Sequence, residues 1–429
     1  MQMKRRRKFL QGLGVAAGII FLAGNLPAQI TTFEGATVYP VSAEPSRSTI
    51  VVEGGRIQSI AVSIGAANSN SVKLQGGHVY PAFIDSWTIE GLDIPRPPDR
   101  QLRDVTQTAP ANMDPENRKG IRAGLSADAY LDIDETWKMR AMQNGFALVN
   151  FAPGSGSIRG RGALLLLQPE AEKPEIVVSN SVMSMGFTPG PGAGYPGSLL
   201  GVIALTRQTL YDAQRYATLV DMGLVGKGLR FEEDDSLAAL VPVVRREKAA
   251  MIQANTFVEL QRAQNLIEEF GLVGWLAGCR EGHLRLDVVQ PHSGRVLYEL
   301  SLQSRPSDQP QAGTPAAVQR ERVEQWEDLA RGPAAMAAAG VEFSFCSRDT
   351  GYPDVLRRLR EVIRFGLPAE TALKGLTLNA AKMFGIDSDY GTLDVGKKAT
   401  FVVFDKPFQE ADAKVTAVVI DGKLIEVNK

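Results

Sequence analysis

Few side chains in this 429-residue chain are suited to metal or nucleophilic chemistry, and that scarcity is the first constraint on its function. There are three histidines, His78, His283 and His292, and two cysteines, Cys279 and Cys346. None of them stands at the spacing of a metal-ligand pair. His78 precedes an apolar strand-like run and His292 sits in a Pro-His-Ser-Gly turn, so both read as hydrogen-bonded structural residues. His283 lies just beyond the apolar run LVGWLAG, where the loop after a strand can carry chemistry, although a structural role is the simpler reading. The cysteines read as buried thiols, with one disulfide as the alternative. Among the cationic residues, PGSGSIRGRGALLLL sets Arg159 and Arg161 beside flexible glycines, able to grip a carboxylate or phosphate through forked N–H donors. Two solvated arginines on a hairpin is the competing reading. A glycine-proline loop, GFTPGPGAGYPG, leads into a helix expected to begin near Ser198. That helix start could hold an anion, but without a Walker lysine or Rossmann spacing it is not a nucleotide site.

The elements that must position these residues fall into three stretches. Residues 31–80 are short β-type runs broken by turns, including TIVVEGGRIQSIAV with Gly54-Gly55 at a hairpin turn. The last forty or so residues, with TLDVGKKATFVVFD and KVTAVVIDG, have the same texture. Between them, apolar runs (GFALVNFAP, EIVVSNSVMSM, AAMIQANT, LVGWLAG, RVLYELSL, VEFSFCS) alternate with helical patterns. Near-continuous apolar strands separated by helices predict a parallel sheet covered by helices, a barrel first and a doubly wound open sheet second. DVLRRLREVIRFG places Val355, Leu356, Leu359, Val362 and Ile363 on one helix face. Residues 304–318, rich in Pro, Ser and Ala, read as a loop. We therefore divide the chain into a leader at 1–28, one half of a small β-sandwich at 29–80, a barrel at 81–388 and the second sandwich half at 389–429.

Bulk properties narrow the partners. A chain 44% hydrophobic and 22% charged can bury a large core, and a net charge of -1 leaves no global field for nucleic acid or an anionic membrane. The opening MQMKRRRKFLQGLGVAAGIIFLAGNLPAQ has a basic run, a short apolar stretch and then small residues, the layout of an export signal. Within it, Arg6-Arg7-Lys8-Phe9-Leu10 resembles the twin-arginine motif, and cleavage after Ala28 is expected. The implied location is periplasmic or extracellular.

Taken in order, TIVVEGGRIQSI, GGHVYPAFIDS, GLPAETALKGLTLNAAKMFGIDSDYGTLDVGKKATFVVFD and VVIDGKLI resemble the amidohydrolase superfamily, metal-dependent hydrolases such as imidazolonepropionases and dihydroorotases. The resemblance implies an α/β fold, a (β/α)8 TIM-like barrel with a small β-sandwich formed from the N- and C-terminal segments. It also implies two histidines, one residue apart, directly after the Phe-Ile-Asp-Ser stretch, where they help bind a metal that activates water. This chain has Trp87 and Ile89 there, neither able to donate an electron pair to a metal. Asp85 remains. Where further ligands are implied, AAMIQANT offers Asn255, and the strand before His283 offers none. Asp349, after VEFSFCS, matches the family's acid, with Arg348 beside it. The phrases YPGSLLG and ALTRQTLYDA are similar to a secreted subgroup in which the first metal motif is likewise degraded.

Two functions follow. The first is an exported pseudoenzyme with no metal and no cofactor, binding a small molecule near Asp85, Trp87, Arg159, Arg161, Asn255, His283 and Arg348, or supporting an active relative as a homo- or hetero-oligomer. The second is a hydrolase of non-peptide C–N bonds in a cyclic amide, with Asp349 as general base.

Overall fold

The computed structural model describes residues 30–62, 70–74, 76–95, 120–169, 171, 174–190, 195–227, 233–309 and 313–427; the leader at 1–28 lies outside them. Five strands open the described chain: β1 (Ile30–Val38), β2 (Ser46–Glu53), β3 (Arg56–Ala61), β4 (Asn70–Lys73) and β5 (His78–Pro81). Gly54 and Gly55 join β2 to β3 with φ of 59° and 78°, values that a two-residue hairpin turn demands and glycine supplies without steric cost.

The central region runs β6 (Phe83–Thr88), α1 (Glu135–Met142), β7 (Phe146–Phe151), β8 (Ile158–Arg161), β9 (Ala163–Leu166), β10 (Glu175–Val178) and β11 (Met183–Met185). It continues through α2 (Leu199–Asp221), α3 (Asp235–Val244), β12 (Ala250–Ala254), α4 (Phe257–Phe270), β13 (Gly274–Gly278), α5 (Leu286–Val289) and β14 (Val296–Glu299). Then come α6 (Ala316–Ala338), β15 (Phe343–Cys346), α7 (Tyr352–Arg364), α8 (Ala369–Leu376) and α9 (Leu378–Phe384), before the closing strands β16 (Phe401–Phe404), β17 (Val415–Ile420) and β18 (Lys423–Glu426). Ser198 caps α2 by accepting the Gly201 N–H, as its sequence position predicts. In α7 the buried face is Tyr352, Val355, Leu356, Leu359 and Val362, four of them in the apolar stripe read from its spacing, whose fifth member, Ile363, is half-buried.

Strands from both chain ends share one sheet, ordered β18-β17-β16-β5-β1-β2-β3, with β4 also pairing β1. The sheet curls so that β3 and its turn meet the segment leading into β16, through Ile57 N–H to Lys397 O at 2.9 Å and Ala399 N–H to Gly55 O at 2.8 Å. Along β16 the side chains alternate between two cores. Phe401 and Val403 face an inner cluster with Phe33, Ile50 and Val52, while Val402 and Phe404 join the large core of the central region.

The central strands make a barrel-like α/β arrangement that is not closed into one sheet, formed by β10-β9-β7-β6 and β15-β14-β13-β12-β11-β8. Strands β11 to β15 are all parallel, as are β6 and β7. Two differences from an all-parallel barrel stand out. The run EIVVSNSVMSM splits at Asn180, whose φ is 48°, into β10 and β11 rather than forming one strand. In addition, β8 and β9 run antiparallel to their neighbours β11 and β7, linking the two sheets through Gly162. The other seam, between β15 and β6, is a single parallel bridge, Thr88 to Arg348, rather than a full ladder. No helix among the described residues is long and apolar enough to cross a membrane.

Candidate functional site

The parallel strands bring their C-terminal ends together at one face, where the loops that follow them can carry function. The end of β6 is the best-defined part. Trp87 is completely buried, and its indole N–H donates to the Ala152 carbonyl at 2.9 Å, just past the end of β7. The Arg348 guanidinium lies over the indole, 5.7 Å from its centroid, a cation–π geometry. Ile89 donates its backbone N–H to Arg348 O at 2.8 Å, and Arg348 donates its own to Trp87 O, also at 2.8 Å.

Asp85 is also buried, and its carboxylate accepts from Trp87 N–H (3.2 Å), Ser347 N–H (3.0 Å), Ser347 Oγ–H (2.5 Å) and Tyr352 O–H (3.2 Å). Burial pushes its pKa up to about 6, against four hydrogen bonds that pull it down. The residue is a knot between β6, the exit of β15 and α7.

Arg159 owes its place to a β-bulge. In the β8–β11 pair, Ser184 faces Gly160 and Met185 faces Ile158, so Arg159 is the extra residue with no partner. The bulge separates it from Arg161, although alternation alone would put the two arginines on one face. Arg159 is 1% exposed; its Nε–H donates to Gly156 O at 2.9 Å and Nη2 to Thr188 Oγ1 at 3.4 Å. Its Nη1 has no partner. Burial first, and then the charge of Arg348, pull its pKa down to about 9. Arg161 instead donates to Gly124 O at 3.0 Å and lines a separate cavity of about 480 Å³ beside α3, with Asp235 and Lys248.

Arg348 holds a left-handed backbone, φ 54°, directly beyond β15, and its Nη1 pairs with Asp349 at 2.7 Å. The Asp349 side chain is 49% exposed and ion-paired, while Ser347 is the residue that faces Asp85. Asn255 donates weakly to Glu299, Nδ2 to Oε2 at 3.4 Å, and leaves its Oδ1 without a partner.

Glu299, 4% exposed, is the acid that sequence reading passes over. Its signal was present, a lone carboxylate in the apolar strand RVLYELSL. Cys279 and Cys346 are free and buried, which settles the disulfide alternative; burial and then the Glu299 charge push both thiols up. His283 turns to α6, where Nε2 meets Asp328 Oδ2 at 2.9 Å, so its described partner is a helix residue and not the strand-end group. His292 bonds Gly274 O at 3.2 Å and Gln264 Oε1 at 2.7 Å, and His78 bonds the Tyr39 hydroxyl at 3.0 Å, both structural. Among the described residues, no three His, Cys, Asp or Glu side chains group to hold a metal ion.

A barrel-like arrangement capped by a sheet built from both chain ends is a fold shared with solved structures. An amidohydrolase of Thermotoga maritima superposes with a TM-score of 0.72 over 92% of this chain and 99% of that one, at 20% identity. A Xaa-Pro dipeptidase with bound methionine does so at 0.55 over 93% and 100%, with 15% identity. The amidohydrolase family profile matches residues 295–425. Adenine deaminase 2 of Rhizobium meliloti is 40% identical over 78 residues, which are 18% of this chain and 12% of that protein. An imidazolonepropionase of Shewanella baltica is 58% identical over 41 residues, 10% of each chain. The matched segments thus span about an eighth or less of these relatives' own lengths. The C-terminal third of the chain thus resembles the amidohydrolase family, and the described residues share the fold of a solved amidohydrolase.

Proposed function

We propose that this protein is a non-hydrolytic member of the amidohydrolase superfamily, exported by its leader, that binds a small molecule at the barrel mouth or supports an active relative. The observation that carries the reading is what surrounds Trp87. An indole whose N–H is spent on Ala152 O fills the end of β6 under the Arg348 guanidinium, which in turn feels the charge of the buried Arg159. These groups do not fit a divalent cation: Trp87 and Ile89 offer it no lone pair, and the buried Arg159 guanidinium, which bonds Gly156 O and Thr188 Oγ1 rather than a carboxylate, repels it. The same charge, with Arg159 Nη1 unpartnered, favours an anionic group such as a carboxylate or phosphate. Asp349, half exposed and held by Arg348, gives no support to a base acting inside the barrel.

The test is metal retention. Purified protein is incubated with zinc, manganese or iron(II), passed through a desalting column and assayed for bound metal. Far less than one equivalent is expected; about one tightly held equivalent would overturn the proposal.

A further inference from the structure

Outside the barrel strands, between the exits of β13 and β14 and the inner face of α6, lies a second cavity of about 520 Å³. It is not the barrel mouth. Along β14, Tyr298 turns outward to α6, its hydroxyl 3.4 Å from Leu329 O, while its neighbour Glu299 reaches Asn255 across the strand ends. Arg280 and Arg322 line this cavity, with Ser301 and Gln319, and no carboxylate lines it among the described residues. One wall is aromatic and apolar, formed by Tyr298 and Trp326, the latter fixed by its indole N–H to Gln303 O at 2.7 Å.

Three of the lining polar atoms are buried without a partner: Arg280 Nε, Ser301 Oγ and Gln319 Oε1. Gln319 is only 2% exposed, and its amide N–H already donates to Ser307 O at 2.5 Å, so its carbonyl oxygen is oriented and unmatched. Leaving such buried groups without a partner is costly. A ligand matching this lining needs an anionic end for the guanidinia, a flat apolar body and one hydrogen-bond donor for Gln319. The volume suits a body of one or two rings.

We propose that this cavity is a binding site for an aromatic carboxylic acid carrying an N–H or O–H donor. Indole-3-acetate is the probe, titrated calorimetrically into the intact protein beside indole-3-acetamide and inorganic phosphate. Binding of the acid with a Kd below about 1 mM is expected, with the neutral amide at least about tenfold weaker. Arg322 is exposed on α6, so Arg322→Gln should fold normally and weaken the acid by about tenfold, whereas Arg348→Gln at the barrel mouth should not. Absence of binding at about 10 mM, an unchanged Kd in Arg322→Gln, or loss of binding in Arg348→Gln would each overturn the proposal. Phosphate binding as tight as the acid would overturn the aromatic body.

Discussion

Asp85 shows what burial does to a single carboxyl. Its folded pKa, about 6, lies above the value near 3.9 of an unfolded aspartate. The sign follows from linkage: the protonated form is favoured in the fold, so its stabilising share is complete below about pH 4 and is lost as pH rises through 6. A difference of about two pKa units is worth about 3 kcal/mol. Asp85→Asn keeps the shape, and the hydroxyls of Ser347 and Tyr352 can rotate to accept from the amide. Urea midpoints measured from pH 4 to 7 should therefore show the variant gaining on the parent as pH rises to about 6 and holding that gain beyond it. A gap that stays constant across the window would mean Asp85 does not titrate there. Tyr352 and Cys346, the titratable neighbours, are both pushed upward and stay neutral in this range. His292 is lowered by burial and acts in the opposite sense, its contribution lost as pH falls below about 6.5. It is common to both proteins and cancels in the comparison.

At the scale of elements, the close approach of the β8 bulge to the exit of β11 decides where Arg159 goes. A Cβ built on Gly186 would lie 2.1 Å from Arg159 Nη2 and 2.7 Å from its Cζ, so the guanidinium occupies the space a side chain would need. Gly186→Ala should cost about 1–3 kcal/mol, the usual range for overpacking a filled site. The same substitution made in an Arg159→Met background should cost much less, because methionine can bend away. Equal costs in the two backgrounds, read from chemical denaturation, would show that the arginine is not what fills the site. The bulge itself could not be read in SIRGRG, since an extra residue in a ladder exists only relative to the partner strand.

At the scale of the molecule, the two ends of the chain are one structural unit. Phe401 of β16 is completely buried, with its ring edge-on to Phe33 of β1, centroids 5.1 Å apart and planes at 88°. Phe401→Ala should cost about 3–5 kcal/mol, through lost contact and the cavity left behind. Because β5 pairs β16 and the opposite face packs on the barrel strands, one cooperative unfolding transition at a lower midpoint is expected. A new early transition, with the barrel strands intact, would show that the curled sheet is stabilised separately.

The order of elements was legible because hydrophobic period and turn residues are local properties: the hairpin glycines, the cap at Ser198 and the apolar stripe of α7 all stand where the sequence puts them. The lack of lone pairs on Trp87 and Ile89 was equally a matter of residue type. What only the folded chain decided was which distant groups share a space. Asp85 meets Ser347 and Tyr352, Arg159 parts from Arg161 to lie near Arg348, and His283 turns to Asp328. Burial and charge proximity are set by packing across hundreds of residues, and no window of sequence contains them.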